Sequence, residues 1–205
     1  MNARDDILSA IRARRTRSAA PPPWHQTPPS KSLVEHFADR AGAAAAQVKQ
    51  LASANEIPAA IADVLRARNL PAIVHVPPAP ALRDLGWDTA PGLTRNREPT
   101  GPDDAAFAVA PFGIAETGTL VYPAAETQPA SWHFRAGLEI AVISADSITP
   151  DLESVLARIK LDGALPSTMN LVTGPSRTGD IEQTLELGAH GPKELVILMV
   201  PSFGS

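Results

Sequence analysis

Short apolar runs, separated by segments of helical period, constrain this chain more than any other feature. AIVHV (Ala72–Val76), AAFAVAPF (Ala105–Phe112), GTLVYPA (Gly118–Ala124), LEIAVISA (Leu138–Ala145), MNLVTG (Met169–Gly174) and ELVILMV (Glu194–Val200) read as strands. Near-continuous apolar strands need cover on both faces, which a largely parallel sheet receives from helices. Helical period recurs over residues 3–17, 31–54 and 57–68, and again over Asp151–Lys160 and Ile181–Leu187. In 31–54 the apolar positions are Leu33, Phe37, Ala41, Ala44, Val48 and Leu51, with Ser32 and Glu35 placed for a capping box. The expected fold is α/β, a mostly parallel sheet flanked by helices. The runs on either side of GIAETG are too close for a helical crossover and predict a hairpin or a sharp strand–loop–strand.

Ahead of this domain stands an amphipathic stretch with Ile7, Leu8 and Ile11 on one face and Arg12, Arg14, Arg15 and Arg17 at its end. It reads as a solvated helix end, or as an arm that docks a partner or a second copy of the chain. AAPPPWHQTPPS (Ala19–Ser30) breaks any helix. The expected organisation is a helical arm over 1–18, a Pro-rich linker over 19–30 and an α/β domain over 31–205.

Composition excludes several functions. The 205 residues include no Cys, so this chain offers no disulfide, catalytic thiol or thiolate ligand for an iron–sulfur cluster. The net charge of -4 argues against nucleic-acid binding through phosphate neutralisation. The His residues lack metal-ligand spacing, and G-x-G-x-x-G and P-loop patterns are missing. No apolar run approaches the length of a membrane span, and MNARDDIL places acids where a signal peptide carries bases. A cytoplasmic protein is expected.

Three stretches carry chemistry. GPSRTGDIE (Gly174–Glu182) places Ser176, Arg177 and Thr178 at an expected strand–loop–helix junction, with Asp180 as the cap of the helix. Such junctions at the carboxyl end of a parallel sheet bind ligands. Asp180 and Glu182 already supply negative charge there, which favours a carboxylate or a neutral polar ligand over phosphate. Arg177 equally suits a structural clamp to Asp or Glu. In GIAETGTL (Gly113–Leu120), Glu116 is either a general acid or base raised by desolvation, or a partner of Arg177 in an ion pair. In GAHGP (Gly188–Pro192), His190 is an acid–base candidate or a solvated loop residue. Arg177, Glu116 and His190 are expected to converge.

These three stretches, in this order and followed by the terminal ELVILMV, resemble the lactate utilization protein C family, whose shared unit is the LUD domain. The resemblance is specific over about 105–200, and RDDILSAIRAR is similar to the family's N-terminal helix. It implies a fold like that of sugar-phosphate isomerases and CoA transferases. It also implies a subunit of a complex that oxidises L-lactate to pyruvate, contributing substrate binding or assembly, with iron–sulfur clusters on partner subunits and no cofactor on this chain. A stand-alone isomerase or acyl-transfer enzyme acting on a small anionic substrate is the alternative. The positions that match the family's motifs are Glu116 and His190, taken as catalytic candidates, and Thr117, Ser176, Arg177, Thr178 and Asp180, taken as substrate-binding candidates. The segment TQPASWHFRAGLEI (Thr127–Ile140) departs from the family's pattern, with Glu139 at the position aligned to a family His; if it contacts substrate, either a substrate other than lactate or no activity at all is implied.

Overall fold

LEIAVIS (Leu138–Ser144, β7) is buried at all seven positions, so it needs neighbours on both edges and cover on both faces. The computed structural model describes residues 3–13, 31–79, 82–83, 85–97, 101–126, 129, 131–161, 163, 166–178, 186–187 and 191–203. In it β7 lies between Ala105–Ala110 (β4) and Glu194–Val200 (β12). Outside these lie Gln47–Gln50 (β1) beside β12, and Ile73–His75 (β2) then Thr94–Asn96 (β3) beside β4. All five pairings of this six-stranded sheet are parallel.

The two faces are covered differently. On one, Ile140, Val142, Val196, Leu198 and Phe107 pack with Ile57, Ile61, Val64 and Leu65 of the helix Ile57–Ala67 (α3). On the other, Ala141, Ile143, Ile197 and Met199 pack with Phe37 and Ala41 of the helix Leu33–Ala43 (α2) and with a second sheet. That sheet joins Ile148–Thr149 (β8), Phe112–Ile114 (β5), Thr119–Pro123 (β6) and Met169–Val172 (β9), in that order. β5 and β6 form the expected hairpin. β6 alternates, with Leu120 and Tyr122 facing the parallel sheet. Val121 faces outward to Val155 and Ile159 of the helix Leu152–Leu161 (α5). The expected α/β class with its parallel sheet is observed. A second sheet, not helices alone, covers one of its faces.

Two expectations are corrected. The helical period over 31–54 does not continue: α2 starts with the expected Ser32–Glu35 capping box but stops at Ala43. Ala45 takes a left-handed φ of 68°, the Ala46 N–H donates to the Ala41 carbonyl, and β1 then pairs with β12. Backbone pairing with a distant strand overrides local propensity there. Likewise Glu186–Leu187 (β11) is not helical but pairs antiparallel with Arg177–Thr178 (β10). The sequence TLEL (Thr184–Leu187) also fits a period of two; residues 181–185 of the expected helix lie outside the described residues. Helix α1 (Ala3–Ala13) forms with no buried residue, Ile7 and Ile11 remaining more than half exposed. The linker 19–30 lies outside the described residues. Among the described residues no helix is long and apolar enough to cross a membrane.

The end of α2 is gripped by two glycines. Gly118 (φ +68°) sits where a Cβ would overlap the backbone of Arg40 and Ala41, and Gly174 (φ +70°) where one would overlap the Ala44 carbonyl. Gly118→Ala and Gly174→Ala should each lower stability, measured by denaturant unfolding, by at least about 2 kcal/mol, from left-handed strain plus the clash. Gly42→Ala, inside α2 with open space around it, should raise stability by about 0.5–1 kcal/mol. Equal effects at the three positions would refute the close approach.

Candidate functional site

The hairpin turn Ala115–Gly118 carries Glu116 and Thr117. The Gly118 N–H closes it on the Ile114 carbonyl, and the Glu116 N–H donates to the Pro150 carbonyl. A chain of hydroxyls leaves this turn: Thr117 Oγ1 is 2.6 Å from Thr119 Oγ1, which is 2.7 Å from Thr173 Oγ1. Thr173 directly follows β9 and precedes the Gly174–Pro175 bend. Two of the sequence motifs therefore meet through threonines. The third joins by backbone, where the Ser176 N–H donates to the Pro192 carbonyl at 2.8 Å. Gly191 lies so close that an added Cβ would stand 3.1 Å from the Ser176 Cβ.

Around this junction is a cleft of about 460 Å³. Thr173, Ser176, Arg177, Pro192 and Phe134 line it, with Leu171 at the edge strand. Arg177 is exposed and Ser176 half-buried. The cleft sits where β12 begins, at the amino end of the parallel strands, and β9 belongs to the second sheet. The expected placement at a carboxyl end of the parallel sheet is not observed, because the strand before the Arg177 loop is not one of its strands.

Of the residues singled out by sequence, Ser176 and Arg177 line the cleft, and Thr117 is coupled to its wall through Thr119. Thr178 is in β10, its backbone paired with Glu186. Glu116 is half-buried in the hairpin turn; no ion pair joins it to Arg177 among the described residues. Asp180 and His190 lie outside the described residues. Phe134, Thr173 and Pro192 also line the cleft. Thr173 adjoins the GPSRTGDIE motif, Pro192 closes GAHGP, and Phe134 comes from the segment 127–140 that departs from the family's pattern.

The model of the LUD domain family matches residues 34–200. The chain belongs to the LUD-domain family. It is 34% identical over 98 residues to an uncharacterized protein of Neisseria meningitidis serogroup B, covering 47% of this chain and 42% of that protein. It is 30% identical over 118 residues to lactate utilization protein C of Geobacillus kaustophilus, and 31% over 118 residues to that of Bacillus licheniformis. Both alignments cover 56% of this chain and 49% of the relative. The chain thus spans about half the length of these relatives. A crystal structure of a DUF162 family protein from Deinococcus radiodurans shares the fold, with a TM-score of 0.60 at 20% identity over 82% of this chain and 96% of that one.

Behind the cleft, this LUD domain buries a polar cluster. The short helix Ser131–Phe134 (α4) places Phe134 in the cleft wall and His133 in the interior. His133 Nδ1 is 3.0 Å from Glu139 Oε1, and the Tyr122 hydroxyl donates to the same oxygen at 2.9 Å. The Tyr122 and His133 rings stack with centroids 3.8 Å apart. Glu139 is fully buried in β7, in register with Ala106 and Leu195. Its Oε2 and the indole nitrogen of Trp132 have no hydrogen-bond partner among the described residues. Each such group costs about 1–3 kcal/mol when buried. One acid inside an otherwise apolar strand was the visible signal for Glu139.

Burial, and then the Glu139 carboxylate that accepts its hydrogen bond, push the Tyr122 hydroxyl well above the ordinary tyrosine value. A raised folded-state value means the native state holds the proton longer than the unfolded chain. The stability it contributes is complete below the unfolded value of about 10 and is lost as pH rises above it. Tyr122 is the chain's one tyrosine, so tyrosinate absorbance reports this residue alone. On alkaline titration, tyrosinate should appear only together with unfolding measured by circular dichroism. Ionisation at the ordinary value in the folded protein would refute the buried cluster.

Proposed function

We propose that this chain is a component of a lactate-utilization system in the cytoplasm, and that it binds a small 2-hydroxy or 2-keto carboxylate in the cleft beside Arg177, whose wall includes Phe134 from the segment that departs from the family's pattern. Arg177 is the observation that carries the reading. Arg177 lines a cleft together with Ser176 and Thr173, and no ion pair to it is formed among the described residues. A guanidinium takes a carboxylate through two parallel hydrogen bonds, and hydroxyls beside it suit the 2-hydroxy or 2-keto oxygen. The names of the Geobacillus and Bacillus relatives support the substrate class.

The role is binding or assembly rather than electron transfer. Without cysteine the chain provides no thiolate for an iron–sulfur cluster, so the electrons of lactate oxidation pass to clusters on partner subunits. His190, which precedes the cleft residue Gly191, and Asp180, two residues beyond β10, are the further ligand contacts proposed; Glu116 and Thr117 support the wall from the hairpin. Among the described residues no specific contact favours the stand-alone isomerase or acyl-transfer reading.

Isothermal titration of the purified protein with L-lactate and with pyruvate should show saturable binding, weakened by about tenfold or more in Arg177→Gln, the loss of one charge-assisted pair. Deletion of the gene should abolish growth on L-lactate as sole carbon source, and affinity purification from the native host should recover cysteine-rich iron–sulfur proteins. Unimpaired growth in a strain with no other lactate oxidase would sink the assignment.

A further inference from the structure

A second cleft, unrelated to the Arg177 loop, lies at the carboxyl ends of β2 and β3. Its volume is about 150 Å³, and three arginines, Arg83, Arg95 and Arg97, line it over a floor that includes Val76 and Leu82. The strand geometry brings them together. Arg95 is in β3, in register with Val74 of β2, and Arg97 directly follows the strand. Two residues apart on an extended chain, they project from one side. The Val76 N–H donates to the Asn96 carbonyl, so the ladder holds past the end of β2.

Arg83 comes from the opposite limb, and that limb is tied to the strand. Trp87 donates its indole N–H to the Leu82 carbonyl at 2.7 Å. The Arg95 guanidinium lies 5.2 Å from the centre of the same indole ring. Trp87 thus fixes both the segment bearing Arg83 and the position of Arg95. Pro77 and Pro78 stiffen the chain that leaves β2.

Among the described residues no acid pairs with the charge of these three arginines, although the chain as a whole is acidic, at -4. Asp84 and Glu98, next to Arg83 and Arg97 in sequence, lie outside the described residues. Three like charges around one small cleft repel one another, and a bound anion removes that repulsion. Guanidinium groups match phosphoryl oxygens in planar pairs. The carboxyl end of neighbouring parallel strands is where open α/β sheets take ligands. The volume is below that of a pocket for a whole drug-sized molecule and suits one compact group.

We propose that this cleft binds the phosphoryl group of a small phosphate compound, through Arg83, Arg95 and Arg97, at a site separate from the carboxylate cleft.

The test is titration of the full chain at low ionic strength with inorganic phosphate and with glycerol 3-phosphate as a simple monoester. Both probes should saturate, with affinity falling as salt is added. The variant Arg83→Gln/Arg97→Gln should bind each about tenfold or more weakly, and Arg177→Gln should bind them as the parent does. All the substituted side chains are exposed, so the variants should keep the parent's circular dichroism; the single variant Arg97→Gln supplies the same readout if the double variant does not. The tighter of the two probes identifies free phosphate or an ester as the source. Absence of saturation by about 10 mM would overturn the proposal. So would loss of phosphate binding in Arg177→Gln with retention in the double variant. Neither result depends on lactate binding, so the two clefts stand or fall separately.

Discussion

Everything at the Arg177 cleft depends on how closely two loops approach the end of α2. Gly118 and Gly174 put bare backbone against Arg40–Ala44, in left-handed conformations that a side chain would strain and in spaces that a side chain would fill. That contact brings the hairpin turn and the Gly174–Pro175 bend to one place. The hydroxyl chain from Thr117 through Thr119 to Thr173 then fixes their separation, and the Ser176–Pro192 hydrogen bond adds the approach to β12. Ser176 and Arg177 are therefore placed by backbone geometry, and among the described residues no ion pair to Arg177 is formed.

The parts of the fold legible in the sequence are those whose signal is local. β7 shows its burial as an apolar run, the β5–β6 hairpin shows in the shortness of GIAETG, and α2 announces its start through Ser32 and Glu35. β1 and β3 are not legible. Gln47–Gln50 and Thr94–Asn96 are short, largely exposed edge strands, and their strand character comes from pairing with residues that no local pattern identifies. In the site, a meeting of the segments that carry Glu116 and Arg177 was foreseeable from the chemistry that an acid and a guanidinium share. The manner of meeting was not: threonine hydroxyls and a backbone hydrogen bond stand where an Arg177–Glu116 pair was expected. Glu139 was visible as an acid in an apolar strand, but its partners Tyr122 and His133 lie 17 and 6 residues away with no periodicity linking them.

The parallel sheet carries distinct chemistry at its two ends. At the amino end, next to where β12 begins, Thr173, Ser176 and Arg177 line the cleft, with a buried polar cluster behind Phe134. At the carboxyl end of β2 and β3, three arginines line a smaller space.

The order of strands in the parallel sheet also bears on how the chain reaches this state. β12 lies between β1 and β7, yet it is the last strand in sequence, and Gln47 pairs with Val196. Until the final segment is in place, β1 has no neighbour in the sheet and β7 exposes one unpaired edge. Closing that gap joins Gln47 to Val196, residues far apart in sequence, which is a slow kind of contact to form. A nascent or C-terminally shortened chain would present two open strand edges and the apolar faces beside them, the surfaces through which incomplete sheets associate with one another.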